Sequence, residues 1–155
     1  MPIYLLGEAE SRPAIVAHAT KQERQDIERL ERRPAISPTA RTLMRLRSQG
    51  YIAEVVEKTI PHTFIKRDFL GFIDIIAVGK GHILGVQATS GSNITSRIRK
   101  IETECAVKAR RWLSAGGLIE VWGWRQLKVP GKMRRPWEPD IRRITTVPYG
   151  TQEEA

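Results

Sequence analysis

The sequence predicts a mixed α/β domain in which a central sheet is flanked by helices. Short runs rich in β-branched residues alternate with amphipathic segments, glycine-rich turns separate the central runs, and no segment repeats. At 155 residues, with 41% hydrophobic and 28% charged residues, the chain is large enough for one globular core. We expect an N-terminal arm with a charged helix over residues 1–35, the main domain over 36–147 and a disordered tail over 148–155.

The first elements are predicted to be helices. The segment from about Thr20 to Arg33 is highly charged and has few apolar anchors, which predicts a weakly packed helix or arm. Ser37 and Pro38 form a favourable helix start, with serine as the N-cap and proline at the first helical position. The helix that begins there is predicted to run to about Gln49.

Three strands are predicted to follow this helix. The first covers about residues 51–60, and a basic loop follows it. The second covers 72–78 and the third 83–89, and the glycine-rich turn between them is a strong hairpin signal. Because both of these strands are mostly apolar, we expect both faces of the sheet to be covered.

A long helix and further strands complete the predicted order. Ser92 or Asn93 is placed to cap a helix over about residues 94–115, whose apolar side chains recur at helical spacing. A fourth strand is predicted over 118–124 and a short strand near 141–146. The predicted order is therefore helix, three strands, helix, strand.

The distribution of charge favours a polyanionic partner. The chain carries 26 Lys and Arg against 17 Asp and Glu, a net charge of +9. Residues 125–143 contain seven basic and two acidic side chains, whereas residues 1–35 contain six of each. A concentrated basic segment favours nucleic acid, because neutralised phosphates release counterions. The alternative is a basic surface without a specific partner.

Several classes of protein are disfavoured by the sequence. A single cysteine, Cys105, excludes an intramolecular disulfide and zinc sites built on cysteine pairs. No apolar run approaches the roughly 18 residues that span a bilayer, and the first residues lack the pattern of a secretory signal. We therefore expect a cytoplasmic protein that does not contact a membrane.

Two polar residues interrupt the apolar second and third strands. Asp74 lies between two isoleucines, and Gln87 lies between a valine and an alanine. Because an unpaired buried charge is costly, Asp74 is expected at a cleft or against a ligand. Gln87 and Thr89 share one face of their strand, and the hairpin can place Asp74 beside them. Such oxygen donors suit a hard cation. The alternative is a structural carboxylate satisfied by the backbone or an arginine.

This pattern resembles the PD-(D/E)XK nuclease superfamily, which includes restriction endonucleases and Holliday junction resolvases, in the short forms common in phages and prophages. The resemblance covers roughly Ser37 to Gln126, and its core is GFIDIIAV followed by ILGVQATSGSN and the long helix. Asp74 matches the family's first aspartate, Gln87 its second acidic position, and Thr89 stands where the family has lysine. The resemblance implies a restriction endonuclease-like αβββαβ core.

The resemblance implies a Mg²⁺- or Mn²⁺-dependent endonuclease acting on double-stranded or branched DNA, in a bacterial or phage-infected cell. Asp74 and Gln87 would hold the metal. A further acid is expected from Glu57 or Asp68. A cation on the next helix, Lys100 or Arg97, would replace the one that Thr89 lacks, with Lys66 a weaker candidate.

Other basic and aromatic residues are expected to contact the nucleic acid. The residues expected to bind it are Arg97, Lys100, Lys108, Arg111, Arg134, Arg135 and Trp137. A homodimer is one expected state, since nucleases that cut both strands often pair. Two alternatives remain open: an inactive DNA-binding protein on the same fold, and a phage accessory protein that binds a host protein.

Overall fold

The computed structural model describes residues 20–25 and 35–150. The chain divides into two units, Met1–Ala35 and Ile36–Ala155. In the first unit, residues 21–25 are helical, and Thr20 and Glu23 cap each other's backbone amides at the start of this segment. The remainder of the predicted charged helix, and the end of the predicted tail, lie outside the described residues.

The described part of the second unit contains a five-stranded sheet, a separate two-stranded ladder and three helices. Its elements are α1 (Pro38–Ser48), β1 (Ile52–Val55), β2 (Lys58–Thr59), β3 (Lys66–Arg67), β4 (Ile75–Gly79), β5 (His82–Ser90), α2 (Ile94–Glu102), α3 (Ala106–Ser114), β6 (Leu118–Gln126) and β7 (Trp137–Ile144). A short 3₁₀ turn, Gly91–Asn93, joins β5 to α2.

The main sheet has the strand order β1-β4-β5-β6-β7. Strands β1, β4 and β5 pair antiparallel, β5 and β6 pair parallel, and β7 returns antiparallel to β6. The parallel pair requires a crossover connection, which α2 and α3 provide. The prediction of a mixed α/β fold, with a mixed sheet flanked by helices, is confirmed.

Each face of the sheet is covered by a hydrophobic cluster. On one face the strands pack against α1, through residues that include Leu46, Ile75, Val86 and Trp122. On the other face they pack against α2 and α3, through residues that include Ile73, Ile101, Ala109 and Val121. Because alternate strand residues point to opposite faces, polar residues on these strands are forced into one layer or the other.

Helix α1 begins as predicted. The Ser37 side chain accepts the backbone N–H of Ala40 at 3.2 Å, and Pro38 is the first helical residue. The helix is attached to the sheet through Thr42, whose hydroxyl accepts the indole N–H of Trp124 at 2.8 Å. The chain turns at Gly50, which adopts a left-handed conformation with φ of +90°.

The prediction of one long helix over 94–115 was wrong. Helix α2 ends at Glu102 and α3 begins at Ala106. At the break, the backbone N–H of Cys105 donates to the carbonyl of Lys100, one residue further back than in a regular helix. The break allows the Cys105 thiol to pack against the turn at Gly71, whose carbonyl lies 3.7 Å from Sγ.

The predicted N-cap position of this helix is confirmed at Asn93, but the expected side-chain cap is not formed. Asn93 is the residue before α2, but its side chain makes no capping hydrogen bond. The Ser92 hydroxyl lies 3.1 Å from the Ser90 hydroxyl instead, and Gly91–Asn93 form a 3₁₀ turn. The tight turn brings the chain directly from β5 into α2 without a side-chain cap.

The prediction of one strand over 51–60 was wrong as well. Strand β1 ends at Val55, and the next amide, that of Val56, donates to the carbonyl of Asp74 at 2.8 Å. The chain then leaves the main sheet, and β2 pairs with β3 in a ladder of its own. The segment expected to be a basic loop therefore contains a small hairpin.

Two other strand boundaries differ from the predictions. The second predicted strand starts later, at Ile75, because the preceding residues form a tight turn closed by the bridge between Phe69 and Ile73. The last strand is longer than predicted and starts at Trp137, which pairs with Gln126 of β6.

Candidate functional site

The strand directions bring the candidate residues to one end of the main sheet. Parallel β5 and β6 finish at the same end, and antiparallel β4 and β7 begin there. Asp74 immediately precedes β4, and Gln87 and Thr89 lie near the C-terminal end of β5. We call this end of the sheet, where β7 also begins at Trp137, the site end.

Asp74 and Gln87 lie opposite each other across the hairpin. The register pairs Ile75 with Val86, so the next residues outward are Asp74 and Gln87. The Gln87 side-chain amide donates to Asp74 Oδ2 at 2.6 Å, and the backbone N–H of Ala88 donates to the same oxygen at 2.8 Å. Both side chains are buried, with 5% and 3% of their surface exposed. The hairpin thus brings together the two residues that the sequence singled out.

The carboxyl group of Asp74 titrates close to neutral pH. Burial raises its pKa to about 7, although the hydrogen bond from the Ala88 amide opposes this shift. The neighbouring carboxyl of Asp68 raises the pKa further, both by its charge and by a hydrogen bond, and the charge of Glu57 adds to it. Burial and the neighbouring acids therefore stabilise the neutral form of Asp74 relative to its ionised form.

The amide of Gln87 leaves one oxygen without a partner. Its Nε2–H group donates to Asp74 Oδ2, which leaves Oε1 as the only acceptor of this side chain. This oxygen is buried and accepts no hydrogen bond from any described residue. A buried polar atom without a partner is costly, because it has lost its hydrogen bonds to water and gained none in the fold.

The two further acids lie at the ends of the small hairpin. Glu57 precedes β2 and Asp68 follows β3, and both are half-buried. The ammonium group of Lys66 lies 3.2 Å from Glu57, so this lysine pairs with an acid. Within 20–25 and 35–150, no three His, Cys, Asp or Glu side chains come together as a metal-binding group. The available donors are instead two neighbouring aspartates and an amide oxygen, which fit an oxygen-preferring cation.

Thr89 stands at the sequence position of the (D/E)XK lysine, and Lys100 is the lysine on the next helix that was expected to replace it. Thr89 is buried and lies opposite Gly123 of β6. Lys100 lies on α2 and is half-buried. The pKa of the Cys105 thiol is raised by burial, lowered by nearby Lys100 and raised by Asp68, which places both charged groups around this one thiol. Lys100 is not among the charged groups that shift the pKa of Asp74.

A basic and aromatic groove lies beside the site end. The indole of Trp137 is 39% exposed, and the guanidinium of Arg41 lies 4.2 Å above its ring. Arg134 and Arg135 are exposed in the loop that precedes it. The groove has a volume of about 340 Å³ and is lined by Ile36, Arg41, Met44, Arg45, Ser48, Trp124 and Trp137.

Arg41 and Arg45 are groove residues to which the amino-acid sequence alone assigns no function. Both project from α1, one turn apart, and Arg45 also lies 3.6 Å from Glu138 of β7. Their spacing on a helix that otherwise buries Leu46 was the available signal. This spacing indicates an exposed basic stripe on α1, but it does not indicate that the stripe faces β7.

The remaining basic candidates lie elsewhere on the α2 and α3 face. Lys108 and Arg111 are exposed on α3, where they line a second hollow of about 340 Å³ with Leu70 and Trp112. Arg97 is half-buried in the first turn of α2. The expected nucleic-acid contacts therefore fall into two areas, of which only the Trp137 area is continuous with the start of β7.

No family model, curated protein or solved structure matches the chain. Among the described residues, no helix combines the length and apolar character needed to cross a membrane. A function for this chain must therefore be argued from the site itself.

Proposed function

We propose that this chain is a metal-dependent nuclease that hydrolyses phosphodiester bonds in DNA. The observation that carries the proposal is the pair formed by Asp74 and Gln87. A buried carboxylate is crowded by Asp68, its amide neighbour leaves an oxygen unpaired, and the charges around it are acidic. A divalent cation would offset all three costs at once.

The order of elements supports a restriction endonuclease-like core. Helix α1, the antiparallel strands β1, β4 and β5, the crossover helices and the parallel strand β6 follow the αβββαβ order of the PD-(D/E)XK superfamily. In that order the metal-binding residues belong on the second and third strands. Asp74 immediately precedes the second strand of the main sheet in chain order, β4, and Gln87 lies near the end of the third, β5.

The residues present fit a Mg²⁺ or Mn²⁺ ion held by Asp74, Asp68 and the Gln87 Oε1 atom. When bound, such an ion would polarise the scissile phosphate and lower the pKa of a bound water molecule. The chain's own contribution is to orient the carboxylate: the Gln87 and Ala88 N–H groups both hold Oδ2 of Asp74. In this proposal Lys100, on the helix that follows β5, would stabilise negative charge on the phosphate.

DNA is the proposed substrate because basic groups gather around the same end of the sheet. Arg134, Arg135 and the Arg41–Trp137 pair are presented by the loop before β7 and by the start of α1. Guanidinium groups hold phosphates in a defined direction, and the exposed indole offers a surface for a base. The groove lies on the α1 face of the sheet and the acids lie beneath α2 and α3, so a strand bound in the groove would reach the acids by passing around the site end.

A second function is favoured by Thr89. In the superfamily this position carries a lysine, and a buried threonine supplies no positive charge. A chain that binds DNA on this fold without cutting it is the alternative. It shares every binding residue with the nuclease and lacks the reaction.

The two functions are separated by a cleavage assay on supercoiled plasmid and on a four-way junction, with Mg²⁺ or Mn²⁺. The wild-type chain should cut. Asp74→Ala should cut at least about 100-fold more slowly, because it lacks the carboxylate that would hold the metal ion at the phosphate. Glu54→Gln is the matched control, since it removes the same charge from an exposed position on β1.

Equal cleavage by the wild-type chain and Asp74→Ala would overturn the assignment of Asp74. Salt-sensitive DNA binding without any cleavage would support the second function. Absence of DNA binding at low salt would overturn both proposals.

A further inference from the structure

The β2–β3 hairpin presents an apolar tip that nothing in the second unit's described residues covers. Phe64 has 106% of its reference surface exposed and Ile65 60%. Large aromatic side chains bury most of their surface when they have a partner. An aromatic residue held fully in solvent at the end of a projecting hairpin therefore suggests that its partner is another molecule.

The tip is held in one shape by its own hydrogen bonds. The amide of Ile60 donates to the carbonyl of Ile65 at 2.9 Å, and Thr63 returns to the carbonyl of Ile60 through both its amide and its hydroxyl. The Thr63 hydroxyl also accepts the amide of Ile65 at 3.3 Å. Phe64 is thus presented from a closed loop, so little ordering is needed when a partner binds.

The charge of the hairpin identifies the chemistry of that partner. Residues 58–67 contain two lysines, an arginine and a histidine, and no acid. Lys58 and Arg67 are direct partners in the ladder, a like-charged pair that destabilises a hairpin of only two residue pairs. A polyanion lying along the hairpin would remove this repulsion.

The hairpin is joined to the proposed catalytic site at both ends. Glu57 precedes it and Asp68 follows it, and both act on Asp74. Two residues, Lys58 and Thr59, separate Glu57 from Ile60, where the closed loop begins, which places the base of the loop about 10 Å from Glu57 at the usual rise per strand residue. That distance corresponds to about three nucleotides of a stacked strand.

We infer that this hairpin is a DNA wedge, in which Phe64 inserts between stacked bases about three nucleotides from the scissile phosphate. Lys58, Lys66 and Arg67 hold the flanking phosphates. The inference rests on the proposed function, and it narrows the substrate to DNA whose bases unstack easily, such as junctions, mismatches and flexible pyrimidine–purine steps.

The test uses the full-length chain carrying Asp74→Asn, so that binding is measured without cleavage. A junction DNA carries 2-aminopurine at successive positions along one arm, and fluorescence reports unstacking. The parent should raise the fluorescence within a window of a few nucleotides. Phe64→Ala should abolish the rise and weaken binding about tenfold, whereas Phe64→Trp should retain both.

Met133→Ala is the matched control, because Met133 is equally exposed (104%) in the basic loop before β7. It should leave the fluorescence window unchanged. Unstacking by Phe64→Ala equal to that of the parent would overturn the wedge. Loss of binding to vesicles of phosphatidylserine and phosphatidylcholine in Phe64→Ala, with DNA unstacking intact, would also overturn it, in favour of a lipid surface.

The outcomes also separate the wedge from the proposed function. A parent that unstacks DNA through Phe64, in a chain whose wild type cuts nothing, would keep the wedge and overturn the nuclease. A wild type that cuts through Asp74, with Phe64→Ala unstacking DNA as the parent does, would keep the nuclease and overturn the wedge. A parent that binds no DNA would overturn both.

Discussion

Asp74 and Glu120 are the two carboxylates buried among the described residues, and they lie in the same sheet on opposite faces. Glu120, beneath α1, accepts the indole N–H of Trp122 at 2.8 Å through one oxygen. Its other oxygen accepts two N–H groups of Arg143 from the facing strand, at 2.6 and 3.1 Å. Both oxygens of Glu120 have partners that belong to the fold.

Asp74, beneath α2 and α3, is surrounded differently. Its Oδ2 accepts two neutral N–H groups, and the charges that shift its pKa, those of Asp68 and Glu57, are negative. Burial alone does not distinguish a structural carboxylate from one that awaits a ligand. The difference lies in the sign of the neighbouring charges, because a buried anion beside a guanidinium is compensated and one beside other acids is not.

The largest difference in stability should appear at Asp74. The unfolded chain releases this proton near pH 3.8, whereas the folded chain holds it to about pH 7. The folded-state pKa is raised, so stability is fully present below pH 3.8 and is lost as the pH rises toward 7. Asp74→Asn cannot ionise, and at pH 8 without metal it should increase the free energy of unfolding by roughly 2–4 kcal/mol.

Urea unfolding of the wild-type chain and Asp74→Asn at pH 4 and pH 8 measures this effect. The gap between the two should be small at pH 4 and large at pH 8. A variant less stable than wild type at pH 8 would show that Asp74 is compensated in the fold, as Glu120 is.

Glu120 should respond in the opposite direction. Glu120→Ala leaves the buried indole N–H of Trp122 and the guanidinium of Arg143 without their acceptor. The free energy of unfolding should fall by about 1–3 kcal/mol at pH 8. The same urea series detects this loss, and an unchanged midpoint would remove the contrast between the two carboxylates.

Removing two arginines from the basic loop before β7 should have a smaller effect, on DNA affinity. Arg134→Gln combined with Arg135→Gln should lower the slope of log affinity against log salt by about two, one for each lost phosphate contact. Lys80→Gln is the matched control, because Lys80 is exposed in the β4–β5 turn at the opposite end of the sheet. An equal change of slope in the control would mean that charge acts without regard to position.

The pairing of Asp74 with Gln87 could be predicted because both are polar residues in otherwise apolar strands joined by a short turn. The turn fixes the register, and the register fixes which side chains meet. The α1 start was predictable for a similar local reason, since a serine cap and a following proline act within one turn.

Other features depended on contacts between distant parts of the chain. The break between α2 and α3 arises where Cys105 packs against Gly71, which no helical pattern reveals. The β2–β3 hairpin arises because β1 stops pairing after Val56, and the groove at Trp137 depends on Arg41 from a helix far away in sequence. Hydrophobic periodicity predicts the secondary structure of a segment, but it does not predict which distant segment that one will contact.

Binding of Mn²⁺, followed by the electron paramagnetic resonance signal of the free ion, tests the central claim most directly. The wild-type chain and Glu54→Gln should bind the ion at pH 8, and more weakly at pH 6, because a proton on Asp74 competes with the metal. Asp74→Asn should bind at least about tenfold more weakly at pH 8. Equal binding by Asp74→Asn and the wild-type chain would contradict the account.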